Sequence, residues 1–115
     1  MIGEYKFGSI TIDGKNYRHD VEIRWTGEVL PWQRKESHLI EPADLERGLK
    51  ENPEMIIFGT GANGRLKVSE AIPRLLEEKG IKLVINLTEE AVKTFNLLDC
   101  QKEKPRIIVF LHLTC

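Results

Sequence analysis

The residues best suited to chemistry are three glycines and the hydroxyl and amide groups near them. Residues 55–64 read MIIFGTGANG, so Gly59, Gly61 and Gly64 fit the spacing G-x-G-x-x-G directly after an apolar run. In a dinucleotide site that spacing opens a helix whose N–H groups hold the pyrophosphate, and an acidic residue about 20 positions on holds the ribose. Here the first capping residue, Ser69, comes five residues after Gly64, and the next strand ends in Asn86. The glycines are followed by Arg65-Leu66, so the Lys and hydroxyl pair of a phosphate loop is missing too. The reading excludes NAD and ATP and leaves a short polar turn.

Such a turn can still receive a small anion or a carbonyl group. In open α/β sheets, ligands gather beyond the carboxyl ends of parallel strands. Two loops qualify, residues 59–67 and 86–88. Gly59 and Gly61 let backbone N–H groups approach a ligand without a Cβ in the way. Thr60 adds a hydroxyl, Asn86 an amide, Arg65 and Lys67 full charges, and Thr88 leads into a helix N-terminus. Gly61 is expected in a conformation that a Cβ disfavours, and Thr60 is expected to turn its hydroxyl toward the Thr88 loop. Those same threonines would serve equally to tie the two loops together. Asn96 falls at the margin of its helix's apolar face, beside Val92, where it either faces a ligand or satisfies backbone groups.

A second group, Trp32, Arg34 and His38, lies in a stretch without period. An exposed aromatic among charges resembles an interface anchor with a polar rim, so these three are candidates for a partner surface. The competing reading tucks Trp32 over the sheet edge as core. His19 reads as exposed and His112 as structural, and the three histidines with no spaced carboxylates make no metal site. Cys100 and Cys115 lack the spacing of a metal or redox pair, which points to a reducing compartment and leaves a disulfide between them open.

The elements that must position these residues follow from pattern. Ile10 and Ile12, then Val21, Ile23 and Trp25, flank Asp13-Gly14, the signature of an N-terminal hairpin. Residues 25–38 read as a long loop. Pro42 opens a short helix that Asn52-Pro53 ends. Residues 55–58, 83–85 and 107–111 are wholly apolar strands. Between them lie a helix capped by Ser69 with Ile72, Leu75 and Leu76 inward and Gly80 as its stop, and a helix capped by Thr88. Apolar strands alternating with helices imply strands covered on both faces. The expected fold is α/β, a three-layer single domain over residues 1–115 with a mixed sheet, helices packed on it and the hairpin attached.

Charged residues make up 30% of the 115, yet the net charge is only −1, so nothing favours nucleic acid or an anionic membrane. The longest apolar run is far short of the roughly 20 residues that span a bilayer, and residues 1–9 are too charged for a signal peptide. The expectation is a cytoplasmic protein.

A resemblance becomes specific once these pieces are joined. FGTG after an apolar strand, NLTEEAVKTFN on the third helix and a final strand closing in FLHLTC resemble the Mth938-like domains, a small conserved family of unknown biochemistry. It includes archaeal and bacterial conserved hypothetical proteins, the animal adipogenesis-associated domain protein and, more distantly, the mitochondrial assembly factor three of complex I. The likeness covers nearly the whole chain, including Trp32, His38, Pro42-Ala43-Asp44 and LKVSEAI from Leu66. Gly59, Thr60, Gly61, Thr88, Ala91 and Asn96 match the family's most recognisable positions, and the His-x-Thr-Cys ending favours the adipogenesis-associated branch. The resemblance implies a three-layer arrangement around a mixed sheet and no established catalytic activity. Complex I assembly belongs to distant relatives with a targeting segment and is not carried over.

No nucleophile, base and orienting group stand at mutual spacing, so the reading favours a non-enzymatic domain without a cofactor. Two functions rank nearly equal: a binding module with a crevice at the Gly59–Gly61 and Thr88 loops for a small anionic ligand, and a protein-interaction or assembly domain using residues 32–38. An enzyme with an unrecognised site is the third. An open, concave rim would favour a ligand, and a flat, filled one an interaction.

Overall fold

An apolar strand with no polar face must be covered on both sides, and the chain meets that demand by placing its last strand at the centre. The computed structural model describes residues 1–115. In chain order the strands are β1 (Ile2–Lys6), β2 (Ser9–Ile12), β3 (Lys15–Tyr17), β4 (Val21–Arg24), β5 (Val29–Pro31), β6 (Leu39–Ile40), β7 (Met55–Gly59), β8 (Lys67–Val68), β9 (Lys82–Asn86) and β10 (Ile107–Leu111). A 3-10 turn, Pro42–Leu45, leads into α1 (Glu46–Leu49); α2 (Ala71–Glu78) and α3 (Thr88–Asp99) are the longer helices. The main sheet runs β5-β4-β10-β7-β9, with β10 antiparallel to β4 and parallel to β7, and β7 parallel to β9. All five residues of β10 are buried.

The two faces of this sheet carry separate cores. Ile57, Ile107, Val109 and Leu111 pack against Ala91, Val92 and Phe95 of α3 and against Ile2, Ile10 and Ile12 of a three-stranded sheet formed by β1 to β3. On the other face Ile56, Phe58, Ile108 and Phe110 pack against Leu45 and against Ile72 and Leu76 of α2. This is the three-layer α/β fold expected from the sequence. The fully apolar strands alternate their side chains between two hydrophobic layers, so neither face is left polar.

Three expectations need correction. The hairpin closes at Asp13-Gly14, both with positive φ (48° and 83°), but its second strand is β3. Val21 and Ile23 belong instead to β4 in the central sheet, since they fill the core beneath β10. The stretch read as a loop from Trp25 contains β5, whose pairing with β4 a three-residue strand with no alternating pattern does not advertise. Finally, α2 begins at Ala71, with the Ser69 hydroxyl accepting the Ala71 N–H at 3.3 Å, whereas Thr88 is already helical and caps nothing.

The β5 side is pinned by buried charge. Glu22, 1% exposed, accepts from Arg24 Nε at 3.0 Å on one carboxylate oxygen and from Arg47 Nη2 at 3.0 Å on the other. Arg47 Nη2 also donates to the Pro31 carbonyl at 2.7 Å. Both carboxylate oxygens are therefore bonded, which such burial requires.

Asn96 fastens β1 to the domain. Its Oδ1 accepts the Ile2 N–H at 2.9 Å and its Nδ2 donates to the Ile2 carbonyl at 2.8 Å. Asn96→Ala should cost about 1–3 kcal/mol, because it strands two polar groups of a buried residue. Chemical denaturation would give that loss, and amide exchange should quicken along β1 while α3 stays protected.

Candidate functional site

The parallel strands β7, β9 and β10 all end on one rim, at Gly59, Asn86 and Leu111, and antiparallel β4 begins there after Asp20. The rim thus collects most of the residues singled out from the sequence. Thr60 donates its hydroxyl to the Asn86 carbonyl at 3.1 Å, and its N–H reaches the same oxygen at 2.9 Å. Thr88 Oγ1 donates to the His112 carbonyl at 2.6 Å and accepts the Gly61 N–H at 2.8 Å. The two threonines join three loops from beneath.

The chain's own segment after β10 fills the space where a ligand would lie. Ala62 N–H donates to the Thr114 carbonyl at 2.7 Å, and Arg65 N–H to the Cys115 main-chain oxygen at 2.9 Å. Gly61 has φ +103°, as expected, and a Cβ there would stand 2.4 Å from the Cys115 carbonyl carbon. At Gly59 a Cβ would meet Leu111 at 2.7 Å and Thr88 at 3.0 Å. The glycines admit the chain's own backbone. Where the sequence suggested a crevice at Gly59–Gly61 and Thr88, residues 114 and 115 lie against these loops. Arg65 is exposed and Asn86 half-buried, and Asn96 is occupied with Ile2.

The second group separates. Trp32, 4% exposed, is stacked on Phe58 and tilted against Phe110, and its Nε1 donates to the Asp44 carbonyl at 3.1 Å. The exposed anchor expected from its charged neighbours is therefore a core residue. Arg34 turns inward as well, with its guanidinium 4.6 Å from the centre of the Trp32 ring. His38 alone is exposed, within 3.0 Å of the Ser37 hydroxyl.

Arg34 belongs to a cluster the sequence did not reveal. Asp20 Oδ2 accepts from Arg34 Nη1 at 2.7 Å and from the His112 Nδ1–H at 2.8 Å, while Oδ1 accepts the Leu113 N–H at 2.9 Å. Tyr5 donates its hydroxyl to the Leu113 carbonyl at 2.9 Å. Burial pushes the Asp20 carboxyl up, but the bonds from His112, Leu113 and Arg34 outweigh it and hold the group below its ordinary value. Burial, then the charges of Asp20 and Glu89, push the Tyr5 phenol up. Partners 14 and 92 residues away leave no local signature for Asp20.

Thr114 Oγ1 lies 3.3 Å from His112 Nε2, so carboxylate, imidazole and hydroxyl stand in the order of a nucleophile-activating relay. Arg34 already shares the Asp20 charge at 2.7 Å and places Nη2 3.3 Å from His112 Nδ1, so the carboxylate is not reserved for the imidazole. Asp20 also fixes Leu113 directly. The cluster therefore acts as a clamp on residues 112–114. A concavity of about 400 Å³ opens elsewhere, over Trp32, Asp44 and Arg47, with both oxygens of Glu22 at its base already bonded.

Known proteins share both the sequence and this architecture. Residues 2–112 match the family described as protein of unknown function (DUF498/DUF598). All of the chain aligns with 99% of the conserved hypothetical protein PH1505 from Pyrococcus horikoshii OT3, at 30% identity and a TM-score of 0.89. All of it also aligns with 98% of the protein MT938, at 29% identity and a TM-score of 0.82. A protein from Bordetella pertussis, described as a Mth938-like domain, shares the fold at 18% identity, with 97% of this chain covering 84% of that one and a TM-score of 0.62. The resemblance read from FGTG, NLTEEAVKTFN and FLHLTC is borne out.

Two outcomes follow for the rim. Thr88→Val should destabilise by about 2–4 kcal/mol, since it leaves the Gly61 N–H and the His112 carbonyl without their partner, and denaturant unfolding would measure it. Because Asp20 has its pKa lowered from 3.8 by folding, its contribution is complete above that value and is lost as pH falls through the folded pKa. Asp20→Asn should therefore flatten the acid limb of the stability profile and lower the plateau at neutral pH.

Proposed function

The chain belongs to the DUF498/DUF598 family of proteins of unknown function, and from that premise we propose that it is a non-enzymatic protein-interaction domain whose contact surface is the open edge of the central sheet at β9. One observation carries this reading. β9 has only β7 as a neighbour, and Ile85 and the adjoining Leu87 are 46% and 45% exposed. An unpaired strand edge is a template for another strand.

The rim supports the choice. Its loops are bonded to one another and to residues 112–115, so they form a stiff platform beside Leu87, whose Cδ2 would be 3.0 Å from a Cβ at Gly64. A small-anion site there is the weaker reading, because the Gly61, Ala62 and Arg65 N–H groups are engaged. A partner surface built on Trp32 is not proposed, since that ring is core. The 115 residues are taken as one working domain. The free thiols of Cys100 and Cys115 support a reducing, cytoplasmic setting, and no helix is long and apolar enough to cross a membrane.

A photo-crosslinking amino acid at position 85 should give discrete protein adducts in cells, whereas the same group at the exposed Lys50 should give none. Equal labelling from both positions, or none from 85, would sink the proposal.

A further inference from the structure

The direction of the backbone along β9 is fixed by two hydrogen bonds. Lys82 N–H donates to the Glu54 carbonyl at 2.9 Å, and the Asn86 carbonyl accepts the Thr60 N–H at 2.9 Å. Within a strand the main-chain groups of successive residues turn to opposite sides. Lys82, Val84 and Asn86 therefore turn theirs to β7, and Leu83 and Ile85 turn theirs outward. Side chains alternate as well. Ile81 and Leu83 pack on the α2 layer and Val84 on the α3 layer. Ile85 shares the face of Leu83, and Leu87, still extended at φ −62° and ψ 152°, continues it. The open edge thus offers two donors and two acceptors beneath an apolar stripe of Ile81, Leu83, Ile85 and Leu87.

The opposite edge of the sheet is blunted. β5 ends in Pro31, which has no N–H, and Arg47 occupies its carbonyl at 2.7 Å. On β9 the one charged residue is Lys82, at the strand's start. Edge strands are ordinarily guarded by proline, bulges or charge. One edge is guarded here and the other is bare.

We propose that the occupant of this edge is a second copy of the chain, its β9 antiparallel to the first with Val84 on the twofold axis; this rests on the reading of β9 as an interaction edge. The register follows from the outward groups. Leu83 faces the partner's Ile85 and Ile85 faces the partner's Leu83, and each pair exchanges two hydrogen bonds. On the same face Ile81 lies opposite the partner's Leu87, so every pair in the stripe is apolar. Lys82 lies opposite the partner's Asn86, and no like charges meet. A shift of one residue sets outward groups against inward ones and forms no ladder. A shift of two in either direction leaves only one full pair, because the Ile81 N–H is already held by the Leu76 carbonyl at 2.8 Å and the Leu87 carbonyl already accepts the Ala91 N–H at 2.9 Å. The twofold at Val84 is the register that uses all four groups.

Sedimentation equilibrium of the full chain from about 10 µM to about 500 µM tests this by mass action. The mass should rise from 13.2 kDa toward twice that value, and Ile85→Lys, at an exposed site, should hold it at 13.2 kDa with an unchanged circular dichroism spectrum. A mass fixed at the monomer value throughout, or a dimer untouched by Ile85→Lys, overturns the proposal. The register is tested with single cysteines in a Cys100→Ser, Cys115→Ser background. Val84→Cys should oxidise to a covalent dimer, because a non-hydrogen-bonded pair brings Cα atoms to about 4.5 Å, inside the disulfide range. Lys82→Cys should not, and the reverse result refutes the register. A chain that stays monomeric while position 85 still crosslinks to another protein refutes the second copy and leaves the interaction edge standing; the loss of both removes both.

Discussion

The C-terminal strand β10 at the centre of the sheet is the constraint from which the other features follow. Its five residues are buried between two hydrophobic layers, and it is bonded to β4 on one side and β7 on the other. Neither core can close before residues 107–111 are in place. The segment that follows must leave the sheet at the carboxyl rim, and it does so across the loops after β7 and β9. Thr88, Gly59 and Gly61 are fitted to that passage: Thr88 supplies one hydroxyl to two strand ends, and the glycines leave room for Leu111 and for Cys115. The Asp20, Arg34 and His112 cluster then holds the departing chain from the side.

This constraint explains why a glycine pattern resembling a nucleotide loop has a different task. Backbone N–H groups that would cradle a phosphate are aimed at the Thr88 hydroxyl and at main-chain oxygens of the chain itself. A filled rim shifts the weight of function from enclosing a ligand to presenting a surface, and the asymmetry of the sheet edges favours one side for it. Proline and Arg47 close β5, whereas β9 keeps two residues' main-chain groups toward solvent, along with the large apolar side chains of Ile85 and the adjoining Leu87.

Much of the architecture was legible in the sequence because β7, β9, β10, α2 and α3 have strong local signals: wholly apolar strands, periodic helices and a glycine stop at Gly80 with φ +70°. The rim was legible in outline, since Gly61 and Thr60 behave as their types suggest. What sequence reasoning missed depends on long-range contact. β5 is three residues long, and β1, paired with β2, is fastened to the domain by Asn96, 94 residues along the chain from Ile2. Trp32 has charged neighbours in sequence, yet Arg34 folds over its ring and Asp20 takes the charge, so an apparent surface motif is interior. Thr88 looked like a cap because helix starts favour threonine, but a buried hydroxyl bridging two strand ends satisfies more backbone than a cap would.

Amide hydrogen exchange at Gly61, Ala62 and Arg65 tests the closed rim most directly. Their N–H groups are bonded to Thr88, Thr114 and Cys115, so they should exchange nearly as slowly as the amides of β10. Exchange at these three as fast as at an exposed loop amide would show that residues 112–115 do not close the rim, and the account built on that closure would fail.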